Sequence, residues 1–262
     1  MVSVEAELKT PIYADLAGKV AVVTGGTKGI GAATCRALLE NRVRLAVVAR
    51  SQDGIDELMG EMADGQEIIG IRADCTKWPE VEAARKQVED RFGGTDILLP
   101  FAGGFEGYTP IEDISEREWH SVVDWNLTST FLTVKAFLPG MIKRRSGTIV
   151  TMSSCSGRYL DSLVTASYAA AKAGIAMFTR HVAIEVGKYG IRVNCVAPAT
   201  TLSERVERIM TNEKQERLAA MSPLGRLGRP EDTAMATLFL ISDAAAWITG
   251  VTIDVAGGRI ML

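Results

Sequence analysis

Tyr168 and Lys172 stand one helical turn apart in the stretch Ser167-Tyr168-Ala169-Ala170-Ala171-Lys172. Positions i and i+4 share a helix face, so the phenol and the ammonium are neighbours. A tyrosine ordinarily ionises near pH ~10. A cation held beside it favours the phenolate, most strongly where water is excluded. Such a group exchanges a proton with an alcohol or ketone oxygen near neutral pH. The same spacing also occurs as a plain amphipathic contact at a solvated helix end, so the chemistry depends on what surrounds the pair.

A second stretch offers a seat for an anionic ligand. Residues 19–31 read KVAVVTGGTKGIG, an apolar β-branched run followed by glycines at 25, 26, 29 and 31. The run predicts a strand over 19–24 buried on both faces. A helical pattern (Ile30, Ala33, Thr34, Ala37, Leu38) begins where the glycines end. Glycine permits a tight turn and close approach, and the helix start offers free N–H groups and a positive dipole end. Together these fit a pyrophosphate. The next strand, 43–49, ends in Ala49-Arg50-Ser51. In a dinucleotide fold this is where an acid reads the ribose of NAD, or an arginine the 2′-phosphate of NADP. No acid is present, Arg50 is a fork suited to phosphate, and Lys28 adds a second cation, which favours NADP(H).

The elements that must position these residues alternate along the chain. Strands are predicted at 67–72, 96–99, 147–152 and 191–197 after the first two, with a seventh near Asp254, and helices lie between them. The alternation implies an α/β fold: a Rossmann-like, doubly wound parallel seven-stranded sheet with helices on both faces, as a single domain over 16–262 after a tail at 1–15. Ligands of such sheets sit beyond the carboxyl ends of the strands, so Ser153-Ser154 at the end of the fifth strand faces the site. By itself Ser154 reads equally as a turn residue. Ser115 and Glu118 form a capping box that starts a long helix, and Asn126 within it reads as a buried amide bonded to backbone.

Composition narrows the function further. The chain has 262 residues, 47% of them hydrophobic, and a mean hydropathy of +0.12, so a substantial core is expected. Net charge is −3 with scattered basic residues, which argues against a nucleic-acid partner. No apolar run approaches the roughly 18 residues of a membrane helix. Cys35, Cys75, Cys155 and Cys195 are widely spaced and read as reduced, mostly buried thiols. With His120 and His181 the only histidines, no metal site is expected. The opening residues lack the basic start and apolar stretch of a signal peptide, so the protein reads as cytoplasmic. The helix bearing Tyr168 carries small residues on most sides (Ala166, Ala170, Ala173, Gly174), which points to a homodimer or homotetramer, or else to a tightly docked monomer helix.

The order T-G-x-x-x-G-x-G (Thr24, Gly25, Gly29, Gly31), Asn126, Ser154 and Tyr168-x-x-x-Lys172 resembles the short-chain dehydrogenase/reductase family, single-domain type, from about Leu16 to Gly258. The resemblance implies hydride transfer between nicotinamide and a carbonyl or carbinol carbon. Tyr168 would move the proton and Ser154 would hydrogen-bond the substrate oxygen. Lys172 would acidify the phenol and hold the nicotinamide ribose, while Asn126 would hold a water of a proton relay. On the cofactor side the resemblance implies Gly25, Thr27, Lys28, Gly29, Ile30, Gly31, Arg50 and Ser51, with Asp74 at the adenine. Ala102 and Gly103 would lie against the cofactor, with Pro198, Thr201 and Ser203 toward its nicotinamide end. Asp74 reads as well as a cap for the following helix. The chain departs from the family pattern at Pro100-Phe101, where two asparagines are usual, and at Ala199, where glycine is.

Residues 200–223, with Leu202, Met210, Leu218 and Met221, are placed as a substrate lid. Phe105, Tyr108, Tyr159, Leu160 and Leu163 are candidates for an apolar pocket. The resemblance points to a small-molecule ketone or alcohol substrate, a 3-oxoacyl thioester foremost. An NADP-dependent dehydrogenase of a polyol, sugar or cyclic alcohol is the alternative. A non-catalytic NADP(H) sensor would not need the serine, tyrosine and lysine intact.

Overall fold

Strand β1 (Val20–Thr24) is buried at every position, and its side chains divide alternately between two cores. Val20 and Val22 join one cluster, and Ala21 and Val23 the other. This is the period of two that a strand covered on both faces demands. The computed structural model describes residues 9–61, 65–159 and 164–261.

The other strands are β2 (Arg44–Ala49), β3 (Ile68–Arg72), β4 (Ile97–Pro100), β5 (Gly147–Met152), β6 (Ile191–Pro198) and β7 (Thr252–Val255). All pairs are parallel, in the order β3-β2-β1-β4-β5-β6-β7. Helices α1 (Gly29–Glu40), α2 (Gln52–Glu61) and α9 (Pro230–Ile241) cover one face, burying Leu38, Leu58 and Leu238. Helices α3 (Trp78–Phe92), α5 (Ser129–Arg144) and α6 (Ala166–Val186) cover the other through Val88, Phe137 and Val182. The expected doubly wound seven-stranded sheet in a single domain is what the chain forms. The chain runs outward from β1 to β3, then returns to the opposite side of β1 at β4. That reversal opens a crevice between the carboxyl ends of β1 and β4.

One detail differs from the sequence reading. The long helix after Ser115 is divided: α4 (Glu116–Val123) passes into α5 through a wide π-helical turn, Asp124–Thr128. Ser115 does cap it, its Oγ accepting from Glu118 N–H at 3.1 Å. The region 200–223 holds two helices, α7 (Glu204–Ile209) and α8 (Asn212–Ala220). Upstream of β1, Asn41 Oδ1 accepts from Tyr13 N–H at 2.7 Å and its Nδ2 donates to Pro11 O at 3.0 Å, which ties this segment to the end of α1. All four cysteines are free and buried, and burial pushes the Cys35 thiol up to about 12 and the Cys75 thiol up to about 11. No helix among the described residues is long and apolar enough to cross a membrane.

Candidate active site

The glycine turn is built by close approach. A Cβ on Gly31 would lie 2.2 Å from the Gly25 carbonyl oxygen, and one on Gly25 would lie 2.9 Å from Ala102 Cα. Gly25 and Gly29 have φ of 69° and 52°, a region that L side chains avoid. Helix α1 therefore starts hard against the end of β1. Lys28, its N-cap, supplies no side-chain acceptor, and the first turn holds no acid. The N–H groups and positive dipole end there face a cavity of about 1040 Å³. These features fit a pyrophosphate.

Arg50, Ser51 and Asp74 also line that cavity. Asp74 Oδ1 accepts from Thr76 N–H at 3.0 Å and from Thr76 Oγ1 at 2.8 Å. Burial works to raise its carboxyl, but the Thr76 hydrogen bonds and the charges of Lys77 and Arg50 outweigh it and hold the group below its ordinary value. Arg50 itself lies over the Trp125 ring, 5.0 Å from the centroid.

The Tyr168–Lys172 pair sits at the start of α6, whose N-cap Thr165 accepts from Tyr168 N–H. Lys172 is 4% exposed. Its Nζ lies 5.5 Å from the Tyr168 ring centroid and donates to Met152 O at 3.0 Å. Burial pulls the Lys172 ammonium down from 10.5 to about 8. It remains a cation at neutral pH. Phe105, from the loop after β4, lies 4.6 Å from the Tyr168 ring, tilted by 40°.

Ser154 follows β5 and caps a short turn at Cys155–Gly157, its Oγ accepting from Ser156 N–H at 3.2 Å. A Cβ on Gly157 would lie 2.5 Å from Lys172 C, so this loop rests directly on α6. Ser153 Oγ donates to Lys172 O at 2.7 Å from the same side. An Arg158–Asp254 ion pair of 2.6 Å anchors the loop to β7. The serine loop is thus held against the Tyr–Lys helix at two points and to β7 at a third.

Asn126 is fully buried in the π-helical turn. Its Nδ2 donates to Gly104 O and Val122 O, both at 2.8 Å, and its Oδ1 accepts from Gly104 N–H at 2.9 Å. Ala102 N–H donates to Thr24 Oγ1 at 3.1 Å. These bonds brace the Pro100–Gly104 loop where the sequence offered no asparagines to do so, and Phe101 turns into the core at 7% exposure.

Of the catalytic and cofactor-binding residues expected from the sequence, Asn126 alone does not line the cavity; it lies behind it. Ser154, Tyr168, Lys172, Gly25, Thr27, Lys28, Gly29, Ile30 and Gly31 border it, as do Arg50, Ser51, Asp74, Ala102, Gly103, Pro198, Thr201 and Ser203. Ser203 meets the glycine turn: a Cβ on Gly29 would lie 3.5 Å from Ser203 Cβ. Thr201 Oγ1 donates to Ala199 O, and Ala199 is not among the residues of positive φ. Met210 and Leu218 border the cavity but Leu202 and Met221 do not; Phe105 and Tyr108 do and Tyr159 does not. Leu160 and Leu163 lie outside the described residues. Trp125 and Lys214 also border it, and neither was anticipated. The signal for Trp125 was its place beside Asn126 in a polar stretch.

A parallel sheet reversing at β1 and β4, with a glycine turn in the crevice, defines a dinucleotide-type α/β fold. The chain belongs to the short-chain dehydrogenase family, whose model, described as short chain dehydrogenase, matches residues 19–214. It is an oxidoreductase that acts between a hydroxyl and a keto group. It is 38% identical over 248 residues to 3-oxoacyl-(acyl-carrier-protein) reductase FabG of Vibrio cholerae, covering 95% of this chain and 100% of that protein. It is 37% identical to cis-4-hydroxycyclohexanecarboxylate dehydrogenase of Sinomonas cyclohexanicum, over 92% of this chain and 96% of that one. A solved structure of levodione reductase superposes with a TM-score of 0.88 at 31% identity, covering 93% and 98%.

Proposed function

We propose that this protein is an NADP(H)-dependent ketone reductase of the 3-oxoacyl type. The observation that carries the reading is the buried Lys172 cation beside the Tyr168 ring, with the Ser154 loop locked against the same helix. The nicotinamide, when bound, gives or takes the hydride. Tyr168 delivers the proton to the developing alkoxide, and Lys172 keeps the phenol ready to ionise by supplying charge across a water-poor gap. Ser154 Oγ donates to the same substrate oxygen and stabilises charge as it forms. Asn126 holds the Gly104 loop in place and would hold a water of the proton relay. Arg50 and Lys28 take the 2′-phosphate, the glycine turn takes the pyrophosphate, and Phe105 with the 200–223 lid encloses the substrate.

The exposed apolar side chains Phe131, Met177 and Ile184 on α5 and α6 support a dimeric or tetrameric assembly. Oxidation of a cyclic alcohol is the second reading, favoured by the similarity to the Sinomonas enzyme. The test is a panel of 3-oxoacyl thioesters with NADPH and of cyclic and polyhydric alcohols with NADP, followed by absorbance of the reduced cofactor. Thioester reduction with NADPH well above NADH supports the main reading. Turnover confined to alcohols supports the second, and no turnover of either class overturns both.

A further inference from the structure

Arg50 is on the surface, yet it is not free to wander. The Trp125 ring lies 5.0 Å from its guanidinium carbon, within the range of a cation–π contact. Its charge also acts on the Asp74 carboxylate, behind the Thr76 hydrogen bonds and the charge of Lys77, and helps to hold that group below its ordinary value. All three residues border the cavity. Trp125 owes its place to the π-helical turn Asp124–Thr128, which also buries Asn126. A Cβ on Gly104 would lie 3.0 Å from Trp125 Cη2, so the indole rests on the backbone that Asn126 clamps. The ring is therefore a fixed surface supported from below.

From this we infer that Trp125 is a positioning residue for cofactor selectivity: it holds Arg50 in the pose that receives the ribose phosphate. The inference rests on the NADP(H) reading. A free arginine gives up rotamer freedom when it grips a phosphate. An arginine already held against an indole gives up less, and affinity for the phosphorylated cofactor rises. A cofactor without that phosphate draws no benefit, so the effect appears in discrimination rather than in binding generally.

The test is calorimetric titration of the purified protein with NADPH and with NADH, read as dissociation constants. Trp125→Leu weakens NADPH binding about fivefold, which at about 1.4 kcal/mol per tenfold is about 1 kcal/mol, and leaves NADH unchanged. Trp125→Phe, which keeps an aromatic face, restores most of the loss. In an Arg50→Ala background, Trp125→Leu has no further effect on the NADPH-to-NADH ratio. Equal weakening of both cofactors, or no change in either, overturns the inference. Arg50→Ala itself tests the underlying reading: if it leaves the preference for NADPH intact, the assignment of the phosphate to Arg50 fails instead.

Discussion

Replacing Lys172 by methionine removes a cation that the fold holds at 4% exposure and keeps a side chain of similar length. Burial lowers the ammonium from 10.5 to about 8. At about 1.4 kcal/mol per tenfold in proton affinity, keeping Lys172 charged at pH 7 costs about 3 kcal/mol. The variant loses the hydrogen bond to Met152 O, which offsets about 1–2 kcal/mol. The net expectation is a gain of about 1–2 kcal/mol at pH 7, together with loss of turnover. The sign follows from linkage. Between pH 8 and 10.5 the unfolded chain holds a proton on Lys172 that the folded chain has released, so wild-type stability rises with pH through that window. The difference, variant minus wild type, therefore falls by about 3 kcal/mol across it and changes sign, from a gain of about 1–2 kcal/mol to a deficit of about 1–2 kcal/mol. Other groups titrate in both proteins and largely cancel in the difference. Urea unfolding of the two proteins at intervals from pH 7 to 10.5 reads this directly. A gap that stays flat with pH, or a variant less stable than wild type at pH 7, refutes the claim that Lys172 is a cation held against its solvation preference.

The same ionisation sets an alkaline limit on activity: turnover declines above about pH 8 as the Lys172 charge is lost, and a pH–rate profile checks it. Gly31→Ala drives a Cβ to within 2.2 Å of Gly25 O; cofactor binding by calorimetry falls at least tenfold, and stability falls by about 2 kcal/mol in denaturant titration. Asn126→Ala removes three hydrogen bonds that brace Gly104 and Val122. It lowers stability by about 3 kcal/mol and increases amide exchange in the 100–104 loop.

The sheet was legible because its strands announce themselves. Runs such as 19–24 and 147–152 are apolar on both faces, and the structure places them at Val20–Thr24 and Gly147–Met152. The cavity was legible because the residues that border it stand at strand ends and helix starts, where sequence order dictates position. What escaped was contact between loops. The wide turn at Asp124–Thr128 has no glycine or proline to mark it, and nothing in the polar segment around Trp125 indicates that its ring reaches Arg50. Likewise, the bracing of Gly104 by Asn126 joins residues 22 positions apart. The sequence allowed a buried amide there but could not name its partner. Over residues 200–223 helical periodicity was visible, but which large side chains turn inward depends on how α7 and α8 pack, so Met221 is half exposed while Leu218 is buried.

The central claim is that a phenol poised by a neighbouring ammonium moves the proton, and Tyr168→Phe tests it most directly. Phenylalanine keeps the ring that packs against Phe105 and removes only the hydroxyl. The measurement pairs calorimetric titration with NADPH and steady-state reduction of a 3-oxoacyl thioester on the same preparation. The expected result is an NADPH dissociation constant within about twofold of wild type and a kcat lowered at least a hundredfold. A variant that turns over at the wild-type rate would contradict it.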